Sequence, residues 1–242
     1  MQRTGIRHWT PSEMVGEVRI SKAEASAFVA SVYRWMAAGL ALTAVVAWAV
    51  ASSATMQQLI FGQKIVFYGL IAAEFGLVLW LSLGISRMSP VQAATAFVIY
   101  SALNGATISS VLLVYTGTSV AQTFAVAGGM FAAAAAWGHT TKRDLSGMGS
   151  FLFMGLIGLV LASVVNIFLG SSGLDWILSV VGVFLFTGLA AWDAQRMREL
   201  AASVGSRGEA AAKFAIVGAL ALYLDFINLF LFLLRFLGQQ RD

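Results

Sequence analysis

The chain contains no cysteine and only two histidines among its 242 residues. Without thiols it can form no disulfide, thiolate nucleophile, iron–sulfur cluster or cysteine zinc site, and its redox compartment stays undetermined. His8 and His139 are too few for a multi-histidine metal or haem centre. Charged residues are also scarce, at 11% of the chain, whereas soluble domains carry about 25%.

Apolar side chains are abundant instead. They make up 59% of the residues, and the mean hydropathy is +0.83, so the chain cannot cover its own surface with polar groups. A spanning helix needs about 20 mostly apolar residues. Seven stretches meet this requirement: 34–54, 65–84, 91–114, 119–137, 149–169, 174–194 and 214–234. We therefore predict an all-α polytopic membrane protein with a seven-helix transmembrane domain, residues 34–242, that follows a polar cytoplasmic tail, residues 1–33.

The basic residues are distributed unevenly along this topology. If the N-terminus is cytoplasmic, only Lys64, Arg235 and Arg241 of the 15 Lys and Arg residues face the other side. This positive-inside bias predicts a cytoplasmic N-terminus, and an odd number of spans then places the C-terminus outside. The net charge of +4 therefore reflects membrane topology, and we expect the lipid bilayer rather than nucleic acid as partner.

Three carboxylates fall within the predicted spans, namely Glu74, Asp193 and Asp225. An unpaired charge near the bilayer centre costs at least about 2.5–3.5 kcal/mol. If the last two spans form an antiparallel hairpin, the midpoint between Asp193 and Asp225 falls in the basic loop 205–213. The two aspartates then lie at similar depth, on helix faces that carry small and polar residues. The sequence predicts that they can meet.

Such a pair has a definite chemistry. Two close carboxylates in a low-dielectric setting cannot both ionise freely, so they are expected to share a proton. Deprotonation would open the pair and make it a pH-sensitive latch. The same oxygens, together with Asn228 or backbone carbonyls, are hard ligands that suit calcium.

Structural alternatives remain open for several of these residues. Asp193 is either a latch residue or an interfacial acid paired with Arg196 or Arg87. Glu74 is either a buried, hydrogen-bonded acid or a residue of an ion pathway. Arg87 is either an anchor at the membrane surface or the counter-ion of the acid pair.

No catalytic motif is convincing. Residues 170–173 match the G-x-S-G string of intramembrane serine proteases, but no histidine follows Ser172, and His139 is predicted on the opposite side of the membrane. Phosphate-binding, zincin and dinucleotide-binding strings are missing. We predict a protein that is not an enzyme and has no cofactor.

Two stretches carry a resemblance to a known family. Residues 188–195, GLAAWDAQ, and residues 222–230, LYLDFINLF, resemble the signature of the Bax inhibitor family, also called the transmembrane Bax inhibitor motif family. Residues 115–117 and 140–155 resemble its bacterial branch, and the similarity runs from about residue 30 to the end. The common Thr-Ala-Tyr-Asp form reads Ala-Ala-Trp-Asp at residues 190–193.

The resemblance implies a bundle of seven helices with the last helix at its centre, and a pH-sensitive calcium leak gated by Asp193 and Asp225. It implies that Arg87 is the closed-state counter-ion, that Glu74 is an acid of the same helix, and that the membrane is the bacterial inner membrane. The resemblance also implies that calcium is the transported ion and that protons regulate its transport. The alternative is a non-transporting regulator that binds another membrane protein, such as a quality-control protease, through residues 1–33.

Overall fold

The structure is a computed structural model that describes residues 20–241. In this part of the chain eight α-helices follow one another: α1 (Lys22–Ala51), α2 (Ala54–Phe61), α3 (Lys64–Gly84), α4 (Pro90–Val114), α5 (Gly117–Thr140), α6 (Ser146–Leu169), α7 (Ser172–Val204) and α8 (Gly208–Leu237). A 3₁₀ turn, Ile85–Arg87, continues α3. All except α2 are long and apolar enough to span a membrane. The predicted all-α fold with seven spanning helices is confirmed.

The helix ends are set by short polar residues. Ser21 caps α1 and forms a reciprocal capping box with Glu24, and Ser89 does the same for α4 with Gln92, which satisfies backbone N–H groups that have no partner in the first turn. Gly170 ends α6 in the left-handed conformation, at φ 60°, which costs glycine little because it has no Cβ.

Three helices are longer than the hydropathy pattern predicts. The capping box starts α1 at Lys22, so residues 22–33 of the predicted tail belong to a helix that continues into the first span. Residues 1–19, with Arg3, Arg7 and Arg19, lie outside the described residues. The 33 residues of α7 and the 30 of α8 correspond to roughly 50 and 45 Å at 1.5 Å per residue. Both exceed a hydrocarbon core of about 30 Å, so without tilt either helix reaches past this core.

The last helix occupies the centre of the bundle. Burial within the protein covers 67% of the apolar window of α8 but only 6% of the windows of α3 and α6. Helices α7, α1, α5 and α4 all pack against it. The central position implied by the family resemblance is therefore confirmed, and the aspartate of α8 lies in the interior of the bundle.

Glycines allow the close approach of helices around the centre. A Cβ at Gly138 of α5 would overlap the backbone of Ala191 in α7, and a Cβ at Gly218 of α8 would overlap Met197 of α7. Backbones that approach this closely gain van der Waals contact, which drives helix association in lipid. These contacts fix the position of α7 between α5 and α8.

Candidate functional site

The structure brings Asp193 and Asp225 together at the contact between α7 and α8. The two helices run antiparallel. On one side of the pair Phe186 stacks on Phe232, with ring centroids 5.7 Å apart. On the other side Met197 contacts Gly218. This register places the two carboxyl groups within hydrogen-bonding reach of each other. Both residues are buried, with relative exposures of 6% and 5%.

The pair has too few donors for its oxygens. Among residues 20–241, Asp193 Oδ1 and Asp225 Oδ2 are buried and have no hydrogen-bond donor. Ionised carboxylates only accept hydrogen bonds, and a buried acceptor without a partner is costly. A proton held between the carboxyl groups would satisfy these oxygens, and so would a cation.

The cation beside the pair is Arg196 rather than Arg87. Arg196 Nη1 lies 4.0 Å from Asp193 Oδ1, at the limit of an ion pair, and its side chain is 61% exposed. Its guanidinium also lies over the Trp192 ring, 5.6 Å from the centroid. This distant, solvated contact neutralises little of the buried charge.

Arg87 does not reach the pair in the structure. Arg87 is the last residue of the 3₁₀ turn after α3, and this turn packs against α8. The Arg87 side chain is exposed, whereas that of the next residue, Met88, is buried. Within the described chain no carboxylate lies within 4.0 Å of it. The contact expected of a closed-state counter-ion is therefore not present, because Met88 takes the inward position at this turn.

Glu74 belongs to a separate polar network. Its carboxylate accepts hydrogen bonds from Asn104 Nδ2 at 3.1 Å and from Thr107 Oγ1 at 2.8 Å. Tyr223 Oη donates to Asn104 Oδ1 at 2.8 Å, and Thr43 Oγ1 lies 2.6 Å from the same Tyr223 oxygen. Glu74 is thus a half-buried acid whose network links α3, α4, α8 and α1. The network reaches Tyr223, two residues before Asp225.

Asn228 is turned towards its own helix. Its side-chain amide donates to the Leu224 carbonyl at 2.8 Å, so the structure does not show it at the carboxyl pair. Within the described residues no group of three or more His, Asp or Glu side chains could hold a metal. Two carboxylates supply at most four of the six to eight oxygens that calcium takes. The two carboxylates alone therefore do not complete a calcium site.

Two polar residues of α7 that the sequence did not single out hold the loop between α5 and α6. Buried Gln195 accepts from the Leu145 N–H and donates to the Arg143 carbonyl, both at 2.8 Å. Arg198 Nη1 donates to the carbonyls of His139 and Thr141 at 2.7 and 3.0 Å. Gln195 ends the GLAAWDAQ motif, but nothing local shows which backbone it contacts.

Replacing Gln195 is expected to loosen this end of α7. In Gln195→Leu the Leu145 N–H and the Arg143 carbonyl lose their partners, and each lost hydrogen bond costs about 1 kcal/mol or more when the group left behind is buried. We expect the free energy of unfolding to fall by roughly 2 kcal/mol, measured by denaturation in detergent. Gln122→Leu, at an exposed position of α5, should unfold like the wild type. Equal stability of the two variants would show that the hydrogen bonds of Gln195 contribute nothing to the free energy of unfolding.

Comparison with known proteins decides the family of this chain. Residues 25–242 match the family described as "Inhibitor of apoptosis-promoting Bax1". The chain belongs to the Bax inhibitor family. Its relatives include "Inner membrane protein YbhL" of Escherichia coli, 48% identical over 88% of this chain and 92% of its own length. An uncharacterized protein of Borreliella burgdorferi is 43% identical, over 89% and 93%. An uncharacterized membrane protein of Streptococcus pyogenes is 36% identical, over 88% and 93%.

Proposed function

We propose that this member of the Bax inhibitor family is a proton-regulated leak for calcium, in which Asp193 and Asp225 form the gate. The observation that supports this most directly is that the two buried carboxyl groups lie within hydrogen-bonding reach of each other, while Asp193 Oδ1 and Asp225 Oδ2 have no donor within residues 20–241. Structural acids inside a bundle are normally satisfied by hydrogen bonds, as Glu74 is. The aspartate pair departs from that rule, and a bound proton or cation would supply the missing partner of its oxygens.

The gate follows from the charge on the pair. With one proton present, one carboxyl group donates to the other, and α7 and α8 stay together. When that proton leaves, two like charges face each other, and at about 4 Å in a protein interior they repel by about 4 kcal/mol. Either α7 and α8 separate or a divalent cation enters between them. Both outcomes favour conduction at higher pH.

Glu74 lies in a polar network that shares helix α8 with the pair. Tyr223 precedes Asp225 by two residues on α8 and is connected to Glu74 through Asn104. We propose Glu74 as the next carboxylate that a cation meets. Its donors, Asn104 and Thr107, hold it in place while it is ionised.

The positive-inside bias supports a location in the bacterial inner membrane with a cytoplasmic N-terminus and an external C-terminus. In this orientation the extended ends of α7 and α8 lie on the cytoplasmic side. There Arg207 Nε of the connecting loop lies 3.9 Å from Glu24 Oε1 of α1. On the opposite surface Arg235 pairs with Asp175 at 3.1 Å.

Calcium flux into liposomes tests the proposal. Purified protein reconstituted into vesicles with an internal calcium dye should pass calcium faster as the pH rises from about 6 to about 8, because the pair loses its proton. Protein-free vesicles give the background. Flux that does not change with pH would reject the gate. No flux at any pH would instead favour the alternative, a regulator that binds another membrane protein.

A further inference from the structure

A groove runs along the outside of the bundle between α1 and α5. The two helices both pack against α7 and α8 but scarcely touch each other, and the gap between them has a volume of about 440 Å³. Its walls are apolar and include Met36, Ala37 and Leu40 of α1 and Phe131 and Ala132 of α5. The groove is open to the surroundings along a length of roughly 10 Å, from Tyr33 to Leu40 at 1.5 Å per residue.

One end of the groove is polar. Tyr33 Oη and His139 Nε2 lie 2.9 Å apart and join α1 to α5 there. Arg198 Nη1 donates to the His139 carbonyl at 2.7 Å, which brings a guanidinium to the same end. The other end, at Leu40 and Phe131, lies deeper in the spanning part of the helices.

Exposed basic residues lie close in sequence to the polar end. Arg34 directly follows Tyr33, and Lys142 and Arg143 follow the end of α5, and all three are exposed. The acid of the same loop is Asp144, which accepts from the Ser146 N–H at 2.8 Å, and this hydrogen bond holds the pKa of its carboxyl below the usual value. Asp144 therefore stays ionised, and the loop and Arg34 still leave an excess of positive charge.

We propose that this groove binds an anionic phospholipid, with one acyl chain between α1 and α5 and the phosphate at the basic end. The apolar walls fit a hydrocarbon chain, and their opening to the membrane lets a lipid enter sideways. Basic pockets between helices at the cytoplasmic surface are suited to anionic headgroups. A zwitterionic lipid fills the same walls but gains nothing from the net positive charge, so the site selects by headgroup charge.

The bound chain would lie close to the gate without depending on it. Phe131 of the groove wall packs edge-on against Phe226, with ring centroids 5.6 Å apart, and Phe226 follows Asp225 on α8. A chain in the groove would thus be separated from the aspartate helix by one aromatic side chain. Binding of lipid to the groove does not require that the pair conducts calcium.

Native mass spectrometry of the full chain tests the proposal with dioleoyl phosphatidylglycerol and dioleoyl phosphatidylcholine as probes. The wild type should retain phosphatidylglycerol in preference to phosphatidylcholine. In the double variant Arg34→Gln/Lys142→Gln this preference should fall roughly thirtyfold, because each of the two basic residues near the surface contributes about 1 kcal/mol. Both lipids should still bind, since the walls are unchanged.

A matched pair of variants locates the site. Ala132→Leu puts a larger side chain into the groove and should reduce retention of phosphatidylglycerol severalfold, whereas Ala133→Leu, exposed on the same helix but outside the groove, should not. Equal retention of the two lipids by the wild type would overturn the proposal. Equal loss in the two leucine variants would overturn it as well. If Ala132→Leu does not fold, the double variant alone decides, and an unchanged preference there rejects the site.

Discussion

The variant Asp225→Asn is expected to abolish the pH dependence of calcium flux. Asparagine has nearly the shape of aspartate but cannot ionise, and its amide can donate to the buried, unpartnered oxygen of Asp193. The repulsion that separates α7 and α8 at high pH is then lost. Since about 4 kcal/mol is far more than the 1.4 kcal/mol of a tenfold change, the wild-type flux should change at least tenfold between about pH 6 and pH 8. The variant should show a flat profile in the same liposome assay.

The control and the reciprocal variant make this result specific. Asp144→Asn removes an exposed carboxylate of the α5–α6 loop and should leave the profile unchanged. Asp193→Asn should match Asp225→Asn, and the double variant should add little, because residues that share one interaction are not additive. A steep pH profile that survives in Asp225→Asn would rule out the pair as the gate.

The variant Gly138→Ala is expected to destabilise the protein. The added Cβ would overlap the carbonyl oxygen of Ala191, a backbone atom that cannot move without the whole of α7. Overpacking of this kind costs about 1–3 kcal/mol, partly offset by the roughly 0.5–1 kcal/mol by which alanine exceeds glycine in a helix. Because Ala191 lies two residues before Asp193, the displacement of α7 should also disturb the pair. Chemical denaturation in detergent measures the first effect, and calcium flux measures the second.

The same substitution elsewhere on α5 provides the control. Gly129 is exposed, and a Cβ built there meets nothing within 4 Å. Gly129→Ala should therefore be as stable as the wild type or slightly more stable. If Gly138→Ala unfolds at the same denaturant concentration as Gly129→Ala, the approach of α5 to α7 is not as close as the structure shows.

The outer boundaries of the helices show where hydropathy is a poor guide. Residues 22–33 read as a polar tail because they contain Lys22 and Glu24, yet Ser21 and Glu24 cap a helix that begins there. Charged residues mark the end of the apolar stretch that lipid requires. A helix can nevertheless continue past this point when its terminal turns are capped or pack against other helices. Residues 195–204 and 208–213 continue α7 and α8 in the same way.

The candidate site was also predicted only in part from the sequence. The meeting of Asp193 and Asp225 could be predicted because a hairpin of two antiparallel helices has one register, set by its loop. The partners of Glu74 could not, since Asn104 and Tyr223 come from helices that are distant in sequence. The position of Arg87 was not predictable either, because a 3₁₀ turn of three residues decides which side chain points inward.

The sequence by itself determined the membrane class, the number of spans and the pairing of the last two helices, because lipid imposes length and apolarity on each segment separately. Only the tertiary structure decided which polar groups are satisfied. It gave Glu74 two donors, left the aspartate pair without one among the described residues, and separated α1 from α5 to form a groove. These outcomes depend on distances between helices, which small residues such as Gly138 set by contact with backbones remote in the chain.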